Sequence, residues 1–348
     1  MVLSRTFVVF PLALLSLLNL GTLRSSELEE KPPAEPLGLK PVPWPKDNPY
    51  SASKAELGRL LYFDKRLSAD GTVSCATCHK RECGFSDCKE IAVGINGHKG
   101  TRHSPTIINA AYYTHFFWDG RVDSLEEQCK GPIANTKEMA ALKDAHEAHR
   151  ECVNKVKSIA GYQPLFKKAF GVDQPTMEEI AQAIATFERT ILSGNSPYDR
   201  YKAGDSSALT AEEIRGMAIY KKTGCVNCHG GFNFADDRFH NIGVGMDQKD
   251  PDPGRSAITG NPKDFGAFKT PTLRDTANAS PYMHDGSLKT LEAVVEFYDK
   301  GGVPNKNLHP LIRPLHLSKE EKEALVSFLK ALSGEGWQHV QEPGSFPQ

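Results

Sequence analysis

The chain has 348 residues, a length that suggests about two ordinary domains. Its 42 basic and 43 acidic side chains leave a net charge of −1, so the charge balance gives no reason to expect nucleic acid as a partner.

In chain order, Arg5 precedes the apolar run Phe7 to Leu20, and polar Arg24-Ser25-Ser26-Glu27 follows. The run is shorter than the ~20 residues a membrane span needs, and Pro11 interrupts it. Residues 1–26 read as an export signal, with an uncleaved anchor as the alternative. Both place the folded part outside the cytoplasm, and in a bacterial cell that is the periplasm. Residues 27–52 form a leader rich in proline (Pro32, Pro33, Pro36, Pro41, Pro43, Pro45 and Pro49), either a spacer or an arm on the surface.

Ser53 and Glu56 read as a capping box opening a helix that carries Leu57, Leu60 and Leu61 on one face. The motif Cys75-Ala-Thr-Cys78-His79 follows, and Cys225-Val-Asn-Cys228-His229 repeats its pattern. C-x-x-C-H is the signature of covalent c-type haem attachment, in which the thiols add to the porphyrin vinyl groups and the histidine becomes the proximal iron ligand. With 8 Cys and 12 His in the chain, roughly 0.006 matches are expected by chance. A zinc knuckle is the competing reading, but no further cysteine pairs at finger spacing complete one. Cys83, Cys88, Cys129 and Cys152 remain. An oxidising compartment permits Cys83–Cys88 and Cys129–Cys152 bonds, with free buried thiols as the alternative.

Residues 80–105 read as loop, and Glu138 to Lys157 as a charged helix. Thr176–Glu179, Thr210–Glu213 and Ser318–Glu321 read as three more capping boxes, and Ile180, Ile184, Phe187 and Ile191 as a helix stripe. Asn195 to Asp199 marks a turn between domains. Residues 230–287 form a long Gly- and Pro-rich irregular stretch that could wrap a haem. Leu291, Val294, Val295 and Tyr298 share one helix face, and Gly334 stops the last helix. No alternating strand runs of useful length occur. The fold class is all-α, with two small cytochrome c-like haem domains at 53–200 and 201–334 joined by long irregular loops. Residues 335–348 form a tail.

Beyond the haem motifs, Leu57-Gly-Arg-Leu-Leu-Tyr-Phe-Asp64, Gly100-Thr-Arg-His-Ser-Pro-Thr106, Phe117-Trp-Asp-Gly-Arg121, Leu125-Glu-Glu-Gln128, Gly131-Pro-Ile133, Lys137-Glu-Met139, Lys269-Thr-Pro-Thr-Leu-Arg274 and Pro281-Tyr-Met-His-Asp-Gly286 occur in order. In these stretches the chain resembles the bacterial di-haem cytochrome c peroxidase family, which includes the MauG-type enzymes, from about Ser53 to Gly334. The resemblance implies a peroxide-reacting haem in the first domain, with Gln128 and Glu138 over its iron and Glu138 doing general acid–base work. It places Trp118 between the haems as an electron relay. On residue type alone, Gln128 and Glu138 would read as solvated helix face and Trp118 as core.

Three departures from the family pattern matter. The peroxidases ligate the second iron with a Met fourteen residues after the His of His-Asp-Gly. Here that position is Tyr298, as in MauG-type enzymes, with Met283 and Met246 as competing ligands. The displaceable His of the first haem aligns with Ile95, so that iron is expected to be five-coordinate, with His98 as the alternative ligand. The Asn that helps bind calcium between the domains is His103 here, leaving the carbonyls of Ala279 and Pro281, and imidazole is a poor calcium ligand. His115, His240, His309 and His316 read as surface or packing residues.

The implied cofactors are thus two covalent c-type haems, with calcium left open. The implied function is reduction of hydrogen peroxide with electrons from a small donor, a cytochrome c or a cupredoxin. One alternative is MauG-type oxidation of aromatic residues on a partner protein, and another is a plain electron-transfer cytochrome. Peroxidases of this family are commonly homodimers.

Overall fold

The computed structural model describes residues 31–348, so the expected signal over residues 1–26 and the start of the leader lie outside it. Helix α1 (Ala52–Phe63) begins where the leader ends and is capped by Ser51, whose hydroxyl accepts from the Lys54 N–H at 3.2 Å. The capping box expected at Ser53 and Glu56 does not form. Ser51 is the last residue with extended backbone, and only such a residue can turn its side chain back onto the free N–H groups. Glu56 pairs with Arg59 instead.

The motif turn α2 (Cys75–Cys78) follows, then α3 (Leu125–Ile133), α4 (Ala145–Ser158), α5 (Gln163–Phe170), α6 (Met177–Glu188) and α7 (Pro197–Lys202). After these come α8 (Ala211–Lys222), α9 (Ser256–Thr259), α10 (Leu291–Asp299) and α11 (Lys319–Lys330). The boxes at Thr176–Glu179, Thr210–Glu213 and Ser318–Glu321 form as read. The charged helix does not begin at Glu138. The Asn135 carbonyl accepts from the N–H groups of Glu138, Met139 and Ala140 at 2.9, 3.0 and 3.0 Å, closing a turn, and Asp144 caps α4 further on. The Asn195–Asp199 turn continues into α7, capped by Ser196. Among the described residues the only ladder is the antiparallel pair β1 (Phe239–His240) and β2 (Phe268–Lys269). No helix there is long and apolar enough to cross a membrane.

The structure reveals an internal repeat that the sequence hides. In the first half α1 crosses α6, and in the second α8 crosses α11. Each crossing is made at a glycine: a Cβ on Gly58 would overlap the Ala183 carbonyl oxygen, and one on Gly216 the Ala324 carbonyl oxygen. Four residues on, Tyr62 and Tyr220 donate their hydroxyls to the carbonyls of His79 and His229. Thr106 and Thr272 each accept the N–H two residues ahead, at 3.1 Å in both cases. Asn109 and Asp275 then both take a left-handed backbone, as do Phe117 and Met283. Bridges Phe116–Val122 and Tyr282–Leu288 lead into α3 and α10, which start at Leu125 and Leu291. Counting along this register, Trp118 is the counterpart of His284, His103 of Lys269, Gln128 of Val294, and Pro132 of Tyr298.

The buried apolar side chains form two main clusters. One joins Leu57, Leu61, Phe85, Ile108, Phe166, Ile180 and Ile184. The other joins Ile219, Tyr220, Phe234, Leu325, Phe328 and Leu332. The tail is packed rather than loose: Trp337 and Val340 are buried in the first cluster. The leader lies on the protein as an arm, with Val42 buried against Ala111 and Leu192. Arg274, 1% exposed, binds both carboxylate oxygens of Asp199 at 2.7 and 2.9 Å and donates to the Phe232 carbonyl, tying α7 to the second half. The halves also meet reciprocally. His103 N–H donates to the His284 carbonyl at 2.7 Å, and its counterpart Lys269 N–H donates to the Trp118 carbonyl at 2.8 Å.

Of the two disulfides that an oxidising compartment permits, Cys83–Cys88 forms. The Cys129–Cys152 bond does not form; both are free and buried, and the Cys129 thiol sits 3.4 Å from the Glu126 carbonyl oxygen.

Gly58→Ala and Gly216→Ala should each destabilise the protein by about 1–3 kcal/mol, because a methyl group must force apart a pair of close-packed helices. The check is a lower denaturant midpoint at an unchanged m-value.

Candidate active site

Two cavities, of about 460 and 210 Å³, contain the motif histidines, and they share a wall made by Trp118, Lys269 and Pro271. Sequence places each imidazole through the backbone. His79 leaves the α2 turn with its carbonyl held by Tyr62, and its Nδ1 lies 3.0 Å from the Pro105 carbonyl oxygen and 3.3 Å from that of Phe85. His229 Nδ1 lies 3.0 Å from the Phe234 carbonyl oxygen. A ring nitrogen beside a carbonyl carries the proton, so Nδ1 donates and the Nε2 lone pair is left for a metal. Burial lowers the pKa of both rings, which favours the neutral form a metal needs.

Cys75, Cys78, Cys225 and Cys228 are unpaired thiols beside these rings. Burial pushes Cys78 and Cys228 up to about 11, and Cys75 and Cys225 also upward.

The first cavity brings together the expected Gln128, from α3, and Glu138, from the turn closed by Asn135. Asn135 Nδ2 donates to Glu138 Oε1 at 2.6 Å. The Ile95 N–H donates to the Glu138 carbonyl at 2.9 Å, so the residue standing at the family's His position buttresses the carboxyl-bearing turn. Burial raises the Glu138 pKa, while the Arg121 charge and the Asn135 hydrogen bond pull it back. His98 is not in the cavity wall: its Nδ1 lies 3.1 Å from the Thr136 carbonyl oxygen and the residue is exposed.

Arg121 and Pro132 stand in stretches that carry the family resemblance, where residue type alone assigns them no role, and both line the first cavity. The Arg121 guanidinium lies 3.4 Å from the centre of the Phe117 ring and 3.1 Å from Asp119, so it is held over the site. The signal for it was a lone cation closing an aromatic run. Pro132 stands where the second half has Tyr298 and offers no donor atom to a metal.

The second cavity is lined by Tyr298 and Val294 from α10, with Met283. Burial raises the Tyr298 pKa. Met246 is not in this wall. His240 and His309, expected at the surface or in packing, both line the cavity. The β-ladder carries His240 there, its Nε2 2.8 Å from Asp236, and the His309 ring lies 4.7 Å from the His240 ring. His115 faces Asp237 at 3.6 Å, and His316 is exposed. Trp118 Nε1 donates to the His103 carbonyl at 2.8 Å. His103 Nε2 and Nδ1 each lie 2.9 Å from a protein oxygen, of Ser86 and Lys89.

The family model for the di-haem cytochrome c peroxidases matches residues 52–207. The methylamine utilization protein MauG of Methylorubrum extorquens is 43% identical over 296 residues, covering 84% of this chain and 82% of that protein. The chain belongs to the di-haem cytochrome c peroxidase family. The cytochrome c551 peroxidase of Nitrosomonas europaea is 37% identical over 82% of each chain. The crystal structure of a MauG-like protein associated with microbial copper homeostasis superposes with a TM-score of 0.81 at 33% identity, over 88% of this chain and 98% of that one. The protein is thus a peroxidase of the di-haem kind, an oxidoreductase.

The residues of this di-haem peroxidase fit two haems. Each cavity presents its motif imidazole with Nδ1 beside a carbonyl and Nε2 free, two unpaired motif thiols precede that imidazole in the chain, and the wall between the cavities holds a buried ammonium.

Arg121→Gln removes the charge that holds Glu138 down. A cation favours the ionised carboxyl, so its loss raises the pKa. The infrared band of the protonated carboxyl, assigned by its loss in Glu138→Gln, should persist to higher pH in Arg121→Gln than in the wild type.

Proposed function

We propose that the first cavity is the site of peroxide reduction and the second the electron-entry site. Each half, 53–200 and 201–334, would carry one haem covalently through its two motif cysteines. The observation that carries this reading is the asymmetry of the repeat. Where the second half has the phenol of Tyr298, the first has Pro132, and there Gln128, Glu138 and Arg121 share the open cavity.

Haem, when bound, supplies an iron that stores and passes single electrons and polarises the peroxide O–O bond. Glu138 takes the proton from the near peroxide oxygen and returns it to the leaving oxygen. Its raised pKa suits both halves of that task. Asn135 orients the carboxyl, Gln128 offers an amide to the bound peroxide, and Arg121 stabilises negative charge there. Trp118, in the wall of both cavities, is the relay between them.

The electron donor is a small protein such as a cytochrome c or a cupredoxin, and the enzyme works in the periplasm. Calcium is left out of the reading, since the ring nitrogens of His103 are both engaged and imidazole is a poor calcium ligand. The place of Tyr298 favours a second reading, MauG-type oxidation of aromatic residues on a partner protein. Peroxide turnover with reduced cytochrome c separates the two. Acid acetone should leave two haems on the polypeptide, and release of either would mean an unused motif.

Glu138→Gln keeps the shape and removes the ionisable group. With both haems in place, the rate of the peroxide reaction should fall about 10²-fold or more, and an unchanged rate removes Glu138 from the mechanism.

Tyr298→Met tests the second site. An anionic oxygen ligand stabilises Fe(III), whereas a thioether favours Fe(II). The wild type should lack the sulfur-to-iron charge-transfer band, and the variant should gain it together with a higher midpoint potential. A wild-type His/Met spectrum would instead assign the ligand to Met283.

A further inference from the structure

One buried cation lacks a counter-ion. Lys269 is 9% exposed, and among the described residues its ammonium makes no hydrogen bond or ion pair. The Nζ lies 3.2 Å from the centre of the Tyr113 ring, a face that attracts a cation without neutralising it. Asp237 is the acid that acts on it, but it makes no ion pair with the ammonium: its Oδ2 accepts from the Thr114 N–H at 2.7 Å and from the Thr114 hydroxyl and faces His115, and its Oδ1 is buried without a hydrogen-bond partner. Burial draws the Lys269 pKa down to about 8, the mark of a charge held in poor surroundings. An unpaired buried charge is costly unless an anion joins it.

The position is fixed by the fold. The Lys269 N–H is bound to Trp118 and the residue pairs with Phe239 in the ladder. Its side chain lines both cavities. The other cations on these walls are committed or exposed. Arg102 holds Asp119 and Asp252, Arg121 holds Asp119, and Lys137 and Arg313 face solvent.

We propose that Lys269 is a binding residue for the haem carboxylates, holding a porphyrin propionate at the wall shared by the two cavities. This rests on the two-haem reading. A cation there offsets the negative charge gained on reduction, so it raises the potential of the haem it pairs with. Because the ammonium lies on a wall common to both sites, the haem it pairs with is read from the potentials of both.

The test uses the holoprotein with covalent haem counted first. If the wild type carries fewer than two haems, the two-haem reading fails independently of Lys269. In Lys269→Met, poised at the wild-type midpoint, the Fe(II):Fe(III) ratio should fall roughly tenfold, about 59 mV for one electron, in at least one haem. Lys269→Arg should restore it to within about twofold. A role in packing alone would not separate Met from Arg in this way. Unchanged potentials in a fully loaded Lys269→Met overturn the proposal. Should that variant not load haem, a crystal structure of the wild-type holoprotein decides. Nζ within about 3.2 Å of a propionate oxygen supports the assignment, and Nζ facing only Tyr113 or Asp237 overturns it.

Discussion

Two backbone hydrogen bonds set the relation of everything else in the molecule: His103 N–H to His284, and Lys269 N–H to Trp118. They are the same bond made twice, once from each half. Because the contact is made by main chain, the side chains at these four positions are free to differ, and they do. His103 has both ring nitrogens engaged, whereas the Lys269 ammonium makes no hydrogen bond and lies over the Tyr113 ring. Trp118 presents an indole to two cavities. Its counterpart His284 stacks on Phe268 at 3.6 Å, and burial draws its pKa down to about 4.

The same division runs through the rest of the fold. Gly58 and Gly216 let the helices cross closely, Tyr62 and Tyr220 hold the motif carbonyls, and Phe85 and Phe234 each place a carbonyl beside a motif imidazole. These devices are common to both halves and build a socket for a metal-bound porphyrin. Residues that distinguish the two cavities lie in α3, in the segments just before and after it, and in α10. Gln128 and Pro132 face Val294 and Tyr298 across the repeat. One scaffold thus supports a cavity lined by an amide and a carboxyl and a more apolar cavity lined by a phenol.

Much of this could be read from residue order. The two motifs, three of the four capping boxes and the scarcity of strand were legible because each depends on a local pattern, whereas the presence of Gln128, Glu138 and Trp118 at one cavity was legible only through the family resemblance. The repeat was not, since the two copies differ in length: Tyr62 lies 13 residues before Cys75, but Tyr220 only 5 before Cys225. The start of α4 was misplaced because a single carbonyl, that of Asn135, gathers three N–H groups and closes a turn that charge pattern cannot reveal. His240 and His309 reach the second cavity through long-range pairing, which leaves no trace in spacing. Cys129 and Cys152 illustrate the same limit. Even numbers invite pairing, but each thiol is buried on its own helix face, Cys129 against the Ala181 carbonyl.

The packed tail carries a further consequence. Trp337 sits 6.1 Å from Phe85, Phe346 packs on the same cluster, and the Gly161 N–H donates to the Gln348 carbonyl at 2.7 Å. The first core therefore contains residues that follow the whole second half in chain order. Synthesis runs from the other end, so the half translated first is the half that must wait to close. Until residues 337–348 arrive, the apolar wall behind Cys75 and Cys78 stays incomplete, and these half-buried thiols are more open to whatever attaches a porphyrin to them.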